Sequence, residues 1–247
     1  MAESEEKEKM NIMVFDTETA GCKTQSLLNV GYTIVDLDLR NFSYKTKVAR
    51  DYLMRDVYNN YMWLINDMFV GEDKWAVMRN NLEHKGAILR TEKQVFEQIS
   101  KDIAKYGVQF AYAYNCQFDT DKFAKTAIAY GLRNPLEDVT VLDLWGFAYW
   151  NICVTAEYQQ FCLENALKTK SGKFFPTSVE GVTAYLNNDK DFKEEHTALS
   201  DVYWELRILC ECGKRGQDIF KWLTRGGWIK LDGSIVEDTD QMAIPLN

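Results

Sequence analysis

The sequence predicts an α/β domain built on a mixed central sheet with helices on both faces. Two observations carry that prediction. Strand-like runs come first: "NIMVFD", then the two halves of "SLLNVGYTIVDLDLRNFSYKTKV", which read as a meander. Beyond residue 90 the pattern alternates helix, strand, helix, strand, helix, the order expected when helices cover a sheet. No internal repeat and no Pro- or Ser-rich linker divides the 247 residues, enough for one substantial domain with an appendage. The expected layout is a charged tail over 1–10, a main domain over 11–215 with an aromatic-rich insertion at 51–90, and a C-terminal appendage over 216–247.

Ile12 to Asp16 read as a buried strand that runs straight into Asp16, Thr17 and Glu18, and "TAGCKTQ" is a turn. The next two strands reverse near Asp38 to Asn41. Tyr52, Tyr58, Tyr61, Trp63, Phe69 and Trp75 crowd a segment of mixed spacing, in which aromatic side chains more often fill a core than stack bases. Trp63 and Trp75 are the first to test for stacking. Thr91 opens a helix with a capping box to Gln94, core positions Phe96, Ile99, Ile103 and Tyr106, and Gly107 as its stop. "VQFAYAYN" is a strand, followed by a helix from about Asp119 to Tyr130 closed by Gly131. "DVTVLDLW" is another strand, with a long apolar helical stretch from Phe147. Thr177 and Glu180 form a second capping box, and the last helix runs from about Thr197 to Cys212 with Leu199, Val202, Leu206 and Leu209 on one face. "GWIKLDGSIVED" reads as a hairpin around Asp232-Gly233.

Hydrophobic residues make up 46% and charged residues 27%, an ordinary globular composition. No apolar run approaches the roughly 18 residues of a membrane span, and "MAESEEKEKM" lacks the apolar segment of a secretory signal. The six cysteines include no C-x-x-C pair, so reduced thiols in a cytoplasmic protein are expected and a zinc site is not. A formal net charge of −8 argues against gripping long nucleic acid through a broad basic face. Metal ions can offset the charge of an acidic site, so a short local contact stays open.

Asp16 and Glu18 stand two apart on a strand, so both side chains leave the same face. With 37 acids in the chain, chance supplies about five or six acid-x-acid pairs, so position must carry the argument. This pair ends the most apolar early strand, at the carboxyl edge where sheets present ligand crevices. Asp119 follows a later strand in the same way, beside the polar Asn115. In "EEHTALSD", His196 precedes Asp201 by five positions, about 140° apart on a continuous helix. The two converge only if His196 lies in the preceding loop and Asp201 lies one turn into the helix. His84, with no acid constellation, reads as an exposed polar residue.

Together, "FDTETAG", "NCQFD" with its Asn-x-x-Phe-Asp spacing and "HTALSD" resemble the three motifs of the DEDD family of 3′→5′ exonucleases, in its histidine-containing branch. "NVGYTIVD" resembles the strand after the first motif in proofreading subunits of bacterial DNA polymerase III and in ribonuclease T. The resemblance covers about residues 11–213. The segment 51–90 looks enlarged relative to the family, and the C-terminal hairpin has no counterpart in it.

The resemblance implies a ribonuclease H-like fold and release of nucleoside monophosphates from the 3′ end of single-stranded DNA or RNA. It implies two Mg²⁺ or Mn²⁺ ions, which suit all-oxygen carboxylate ligation and stabilise both the attacking and leaving oxygens. Asp16, Glu18 and Asp201 would hold the ion carrying the nucleophilic water. Asp16 would bridge to a second ion with Asp119 beside it, and His196 would accept the proton. Thr19, Asn115 and Phe118 would contact substrate. A homodimer and a replication or repair partner stay open; a membrane partner is not expected. The alternatives are an oligoribonuclease-like hydrolase of short RNA and a catalytically silent binding module on the same fold. Presence of all four acids and the histidine weighs against the silent module.

Overall fold

The computed structural model describes residues 9–20, 26–60, 74–221 and 226–236. Trp63, Phe69, Tyr61 and Cys22 lie outside them. β1 (Lys9–Thr19), β2 (Leu27–Asp38) and β3 (Ser43–Met54) form the expected antiparallel meander. β5 (Phe110–Ala113) pairs in parallel with β1, and β6 (Thr140–Asp143) with β5. On the opposite side, β4 (Ile88–Arg90) pairs in parallel with β3 and completes a six-stranded mixed sheet in the order β4-β3-β2-β1-β5-β6. Sequence reading missed β4, because three residues carry no readable alternation.

The helices are α1 (Arg55–Asn60), α2 (Lys74–His84), α3 (Glu92–Tyr106), α4 (Cys116–Tyr130), α5 (Leu144–Ala148), α6 (Ala156–Glu164), α7 (Val179–Asn187) and α8 (Ala198–Lys214). They cover both faces, because the central strands alternate between two apolar layers. Met13 and Phe15 of β1 enter one layer with Val95, Phe96 and Ile99 of α3 and Phe123 of α4. Ile12 and Val14 enter the other with Leu142, Val202, Leu206 and Leu209. Residues Ile12 to Phe15 are all fully buried, which is why this run is continuously apolar.

α3 carries the predicted capping box, with Thr91 and Gln94 exchanging side-chain and backbone hydrogen bonds and Gly107 closing it at φ 62°. Three expectations need correction. α4 begins at Cys116, three residues before Asp119, because Asn115 turns the chain in the left-handed region (φ 61°) without a side-chain cap. α7 is capped by Ser178, whose hydroxyl accepts from the Gly181 N–H at 3.3 Å, and not by Thr177. Thr177 is buried, and its carbonyl accepts from the Tyr114 hydroxyl. The apolar stretch from Phe147 is no single helix: α5 passes into a π-helical turn over Tyr149–Cys153, and Thr155 caps a separate α6. A short hairpin of β7 (Trp228–Ile229) and β8 (Ile235–Val236) turns through Gly233 at φ 83°. It is tied to the main domain where the Phe175 N–H donates to the Ile229 carbonyl at 2.9 Å. Among the described residues no helix is long and apolar enough to cross a membrane.

Candidate active site

β1 decides where its two acids point. Asp16 and Glu18 continue the row of Ile12 and Val14, so they leave the sheet on the face that α8 covers. The intervening Thr17 follows Met13 and Phe15 to the other face, where its hydroxyl donates to Asp119 Oδ1 of α4 at 2.6 Å. The end of one strand thereby meets helices from both layers.

α8 reaches this edge because β2 lacks a side chain there. Gly31 pairs with Asp16, and a Cβ on it would lie 2.2 Å from the Leu199 nitrogen and 2.3 Å from the Ala198 carbonyl carbon. Asn29, buried on the same strand, accepts the Ala198 N–H at 2.8 Å and so satisfies one of the donors exposed at a helix start. Its amide nitrogen donates to Asp51 Oδ1 at 2.5 Å and to the Tyr52 carbonyl at 3.0 Å, while Asn81 donates to Asp51 Oδ2 at 2.8 Å. This fixes the loop and first turn together. His196 sits before the helix at φ 53°, a conformation L residues rarely adopt, and Asp201 lies in the first turn. Glu18, His196 and Asp201 each bring a potential ligand atom within 4.8 Å of the others. The loop-to-helix break expected from the five-residue spacing is present.

These groups share one cavity of about 620 Å³ with Asp16, Thr17, Asn115, Phe118 and Asp119. Phe118 is 42% exposed and carries the Lys122 ammonium 4.5 Å from its ring centroid. Asn115 Oδ1 is buried with no hydrogen-bond partner in the protein, and its backbone N–H donates to Asp143 Oδ1 at 3.0 Å. Thr19 stands apart: the cavity lining runs through Thr17 and Glu18, and Thr19 falls where the β1–β2 register shifts. His84 is exposed on α2, with Glu83 as an ion-pair neighbour at 3.8 Å.

Sequence reading missed Glu205. It lies one helical turn after Asp201, is 2% exposed, lines the same cavity and leaves Oε2 without a partner. The signal was available, because positions four apart on a helix share a face. Burial raises the Glu205 carboxyl well above its usual range, reinforced by the charges of Asp119 and Asp201. The Asp16 carboxyl is likewise raised by burial and then by Asp119, Glu205, Glu18 and Asp201. Burial pushes Asp119 up to about 7, although hydrogen bonds from Thr17 oppose the shift. Acids this crowded cannot all ionise unaided, and a cation among them removes the conflict. The donor set of carboxylates with one imidazole fits divalent metal ions.

No family model and no curated protein matches this sequence. Solved structures match its fold. Escherichia coli Exonuclease I bound to a dA16 oligonucleotide aligns over 85% of this chain and 42% of its own, with a TM-score of 0.51 and 14% identity. Exonuclease I in its apo form aligns over 86% and 44%, with a TM-score of 0.53 and 12% identity. A zinc-ion-bound form of the E. coli ExoI–ssDNA complex aligns over 86% and 42%, with a TM-score of 0.50 and 12% identity. This chain therefore spans less than half the length of those structures. The likeness is one of fold, and the fold is ribonuclease H-like, a mixed central sheet with helices on both faces.

Proposed function

We propose that this protein is a metal-dependent 3′→5′ exonuclease of the DEDD kind, in its histidine branch, acting on single-stranded nucleic acid. The observation that carries the reading is the meeting of Glu18, His196 and Asp201 within 4.8 Å, in a cavity that Asp16 and Asp119 also line. The shared fold with Exonuclease I, solved with a dA16 oligonucleotide, supports a single strand as substrate.

Asp16, Glu18 and Asp201 would hold one ion, and Asp16 with Asp119 a second. Bound there, Mg²⁺ or Mn²⁺ supplies an acidified water and positive charge against the leaving 3′-oxygen. His196, set ahead of α8 by its left-handed backbone, takes the proton of the attacking water. Thr17 orients Asp119 through its 2.6 Å hydrogen bond. Asn115 offers an unsatisfied acceptor to the terminal nucleotide, and Phe118 an exposed ring face.

Labelled single-stranded DNA and RNA ladders with free or blocked ends test the reading. With Mg²⁺ or Mn²⁺, a free 3′-hydroxyl should yield single nucleotides, a blocked 3′ end should resist, and a blocked 5′ end should make no difference. Activity surviving in chelator, or efficient cutting of a closed circle, overturns it.

A further inference from the structure

The same cavity is lined by further residues beyond this acidic group, Glu180 and Glu194 among them. Trp145, Lys168, Lys170 and Trp228 line it, drawn from the start of α5, the loop before α7, and the C-terminal hairpin. Trp228 is 40% exposed, yet its ring is braced. Trp145 meets it edge-on with centroids 6.5 Å apart, and Phe174 lies 5.5 Å away. The hairpin is seated closely against this support. Ile229 is fully buried, Phe174 bridges to Lys230, and a Cβ on Gly226 would come within 2.9 Å of Trp145 Nε1. A ring held by its neighbours loses little entropy on binding a flat partner. Lys168 and Lys170 are exposed cations that line the same cavity. An aromatic platform with adjacent cations matches a base with its phosphate, the pairing that single-strand binding sites use.

We propose that Trp228 is a stacking platform for a nucleobase upstream of the 3′-terminal nucleotide, with Lys168 and Lys170 taking the phosphates of that same strand. This rests on the reading of the acidic wall as an exonuclease centre. The hairpin would then set how many nucleotides of a 3′ tail the protein must capture before it cuts.

The test measures affinity of 5′-labelled single-stranded hexanucleotides for the full chain in chelator, where hydrolysis stops. Trp228→Ala should weaken binding about 5- to 150-fold, the range of one lost base stack. Trp228→Phe should retain most of the affinity and controls for damage to the hairpin. Abasic sites at the second and third nucleotides from the 3′ end should weaken binding to the wild type and cost Trp228→Ala nothing further. Lys168→Ala with Lys170→Ala should reduce the slope of log Kd against log salt by about 1.4, two single-strand phosphate contacts. Equal abasic penalties in wild type and Trp228→Ala overturn the platform, even where 3′ ends are still digested with Mg²⁺. A wild type that neither binds single strands nor digests 3′ ends overturns the exonuclease reading and the platform together.

Discussion

Two groups of aromatic side chains in this molecule sit in different surroundings. The segment at 51–90 turns its described rings inward: Tyr52 and Tyr58 are 5% and 7% exposed, and Trp75 packs 4.4 Å from Tyr58 against the first apolar layer. There the chain adds an edge strand, β4, to the sheet. The other region is scattered through the sequence, with Phe118, Trp145 and Trp228 gathered only by folding, and it lines the cavity. Aromatic density therefore says little about base stacking in this chain. Nearness to the carboxyl ends of β1 and β5 says more. Trp75, named with Trp63 as the first to test for stacking, packs against the core, the commoner role of such a cluster.

That contrast predicts that chemistry and stability separate. Asp16→Ala should abolish turnover on single-stranded substrate, while its melting midpoint in chelator stays level or rises, because repulsion among the acids is relieved. A drop in stability matching the loss of activity would break the distinction. His196→Ala should cut the chemical step roughly 10²–10⁴-fold while the carboxylates keep binding Mn²⁺. Near-normal turnover, or lost Mn²⁺ binding, would remove His196 from the role of base. On the other side of the comparison, Tyr58→Ala should cost about 3 kcal/mol of stability and leave turnover per folded molecule unchanged. Denaturant titration beside an activity assay measures both.

The acids also set a pH dependence. Asp16, Asp119 and Glu205 hold their protons more tightly folded than unfolded. Their contribution to stability is therefore full below the ordinary carboxylate range and lost as pH rises through their raised folded values, about 7 for Asp119. In chelator the melting midpoint should fall between pH 5 and pH 8, and Mg²⁺ should shrink that fall. An identical fall with and without Mg²⁺ would mean no ion occupies the acidic wall. The smallest effect belongs to His84→Ala, exposed and outside the cavity lining, which should change neither turnover nor melting.

Much of the site was legible because it is local. Two residues of strand periodicity put Asp16 and Glu18 on one face, and a helix start between His196 and Asp201 brings them together. The capping box at Thr91 was readable for the same reason. What escaped was set by tertiary contacts. Asn115 starts α4 early through a left-handed turn held by Asp143, a bond that joins residues 28 positions apart. Ser178 takes the cap, while the neighbouring Thr177 is buried with its carbonyl accepting from Tyr114, 63 positions away. β4 exists only as a partner for β3. The hairpin could be recognised as a turn, but nothing in its sequence says that it closes a cavity begun at residue 16.

The approach of α8 over Gly31 makes the active centre a long-distance construction. The bond from the Ala198 N–H to Asn29 joins positions 169 apart, and the meander supplies only Asp16 and Glu18 of the cavity's acids. Closing so large a loop is slow relative to forming neighbouring strands. A nascent or partly folded chain can thus hold its first strands paired and still lack the proposed centre, since the histidine and the last carboxylates arrive only when the final helix docks. On the proposed reading turnover would report folding: a cut strand would mean that the last helix has reached the first strand.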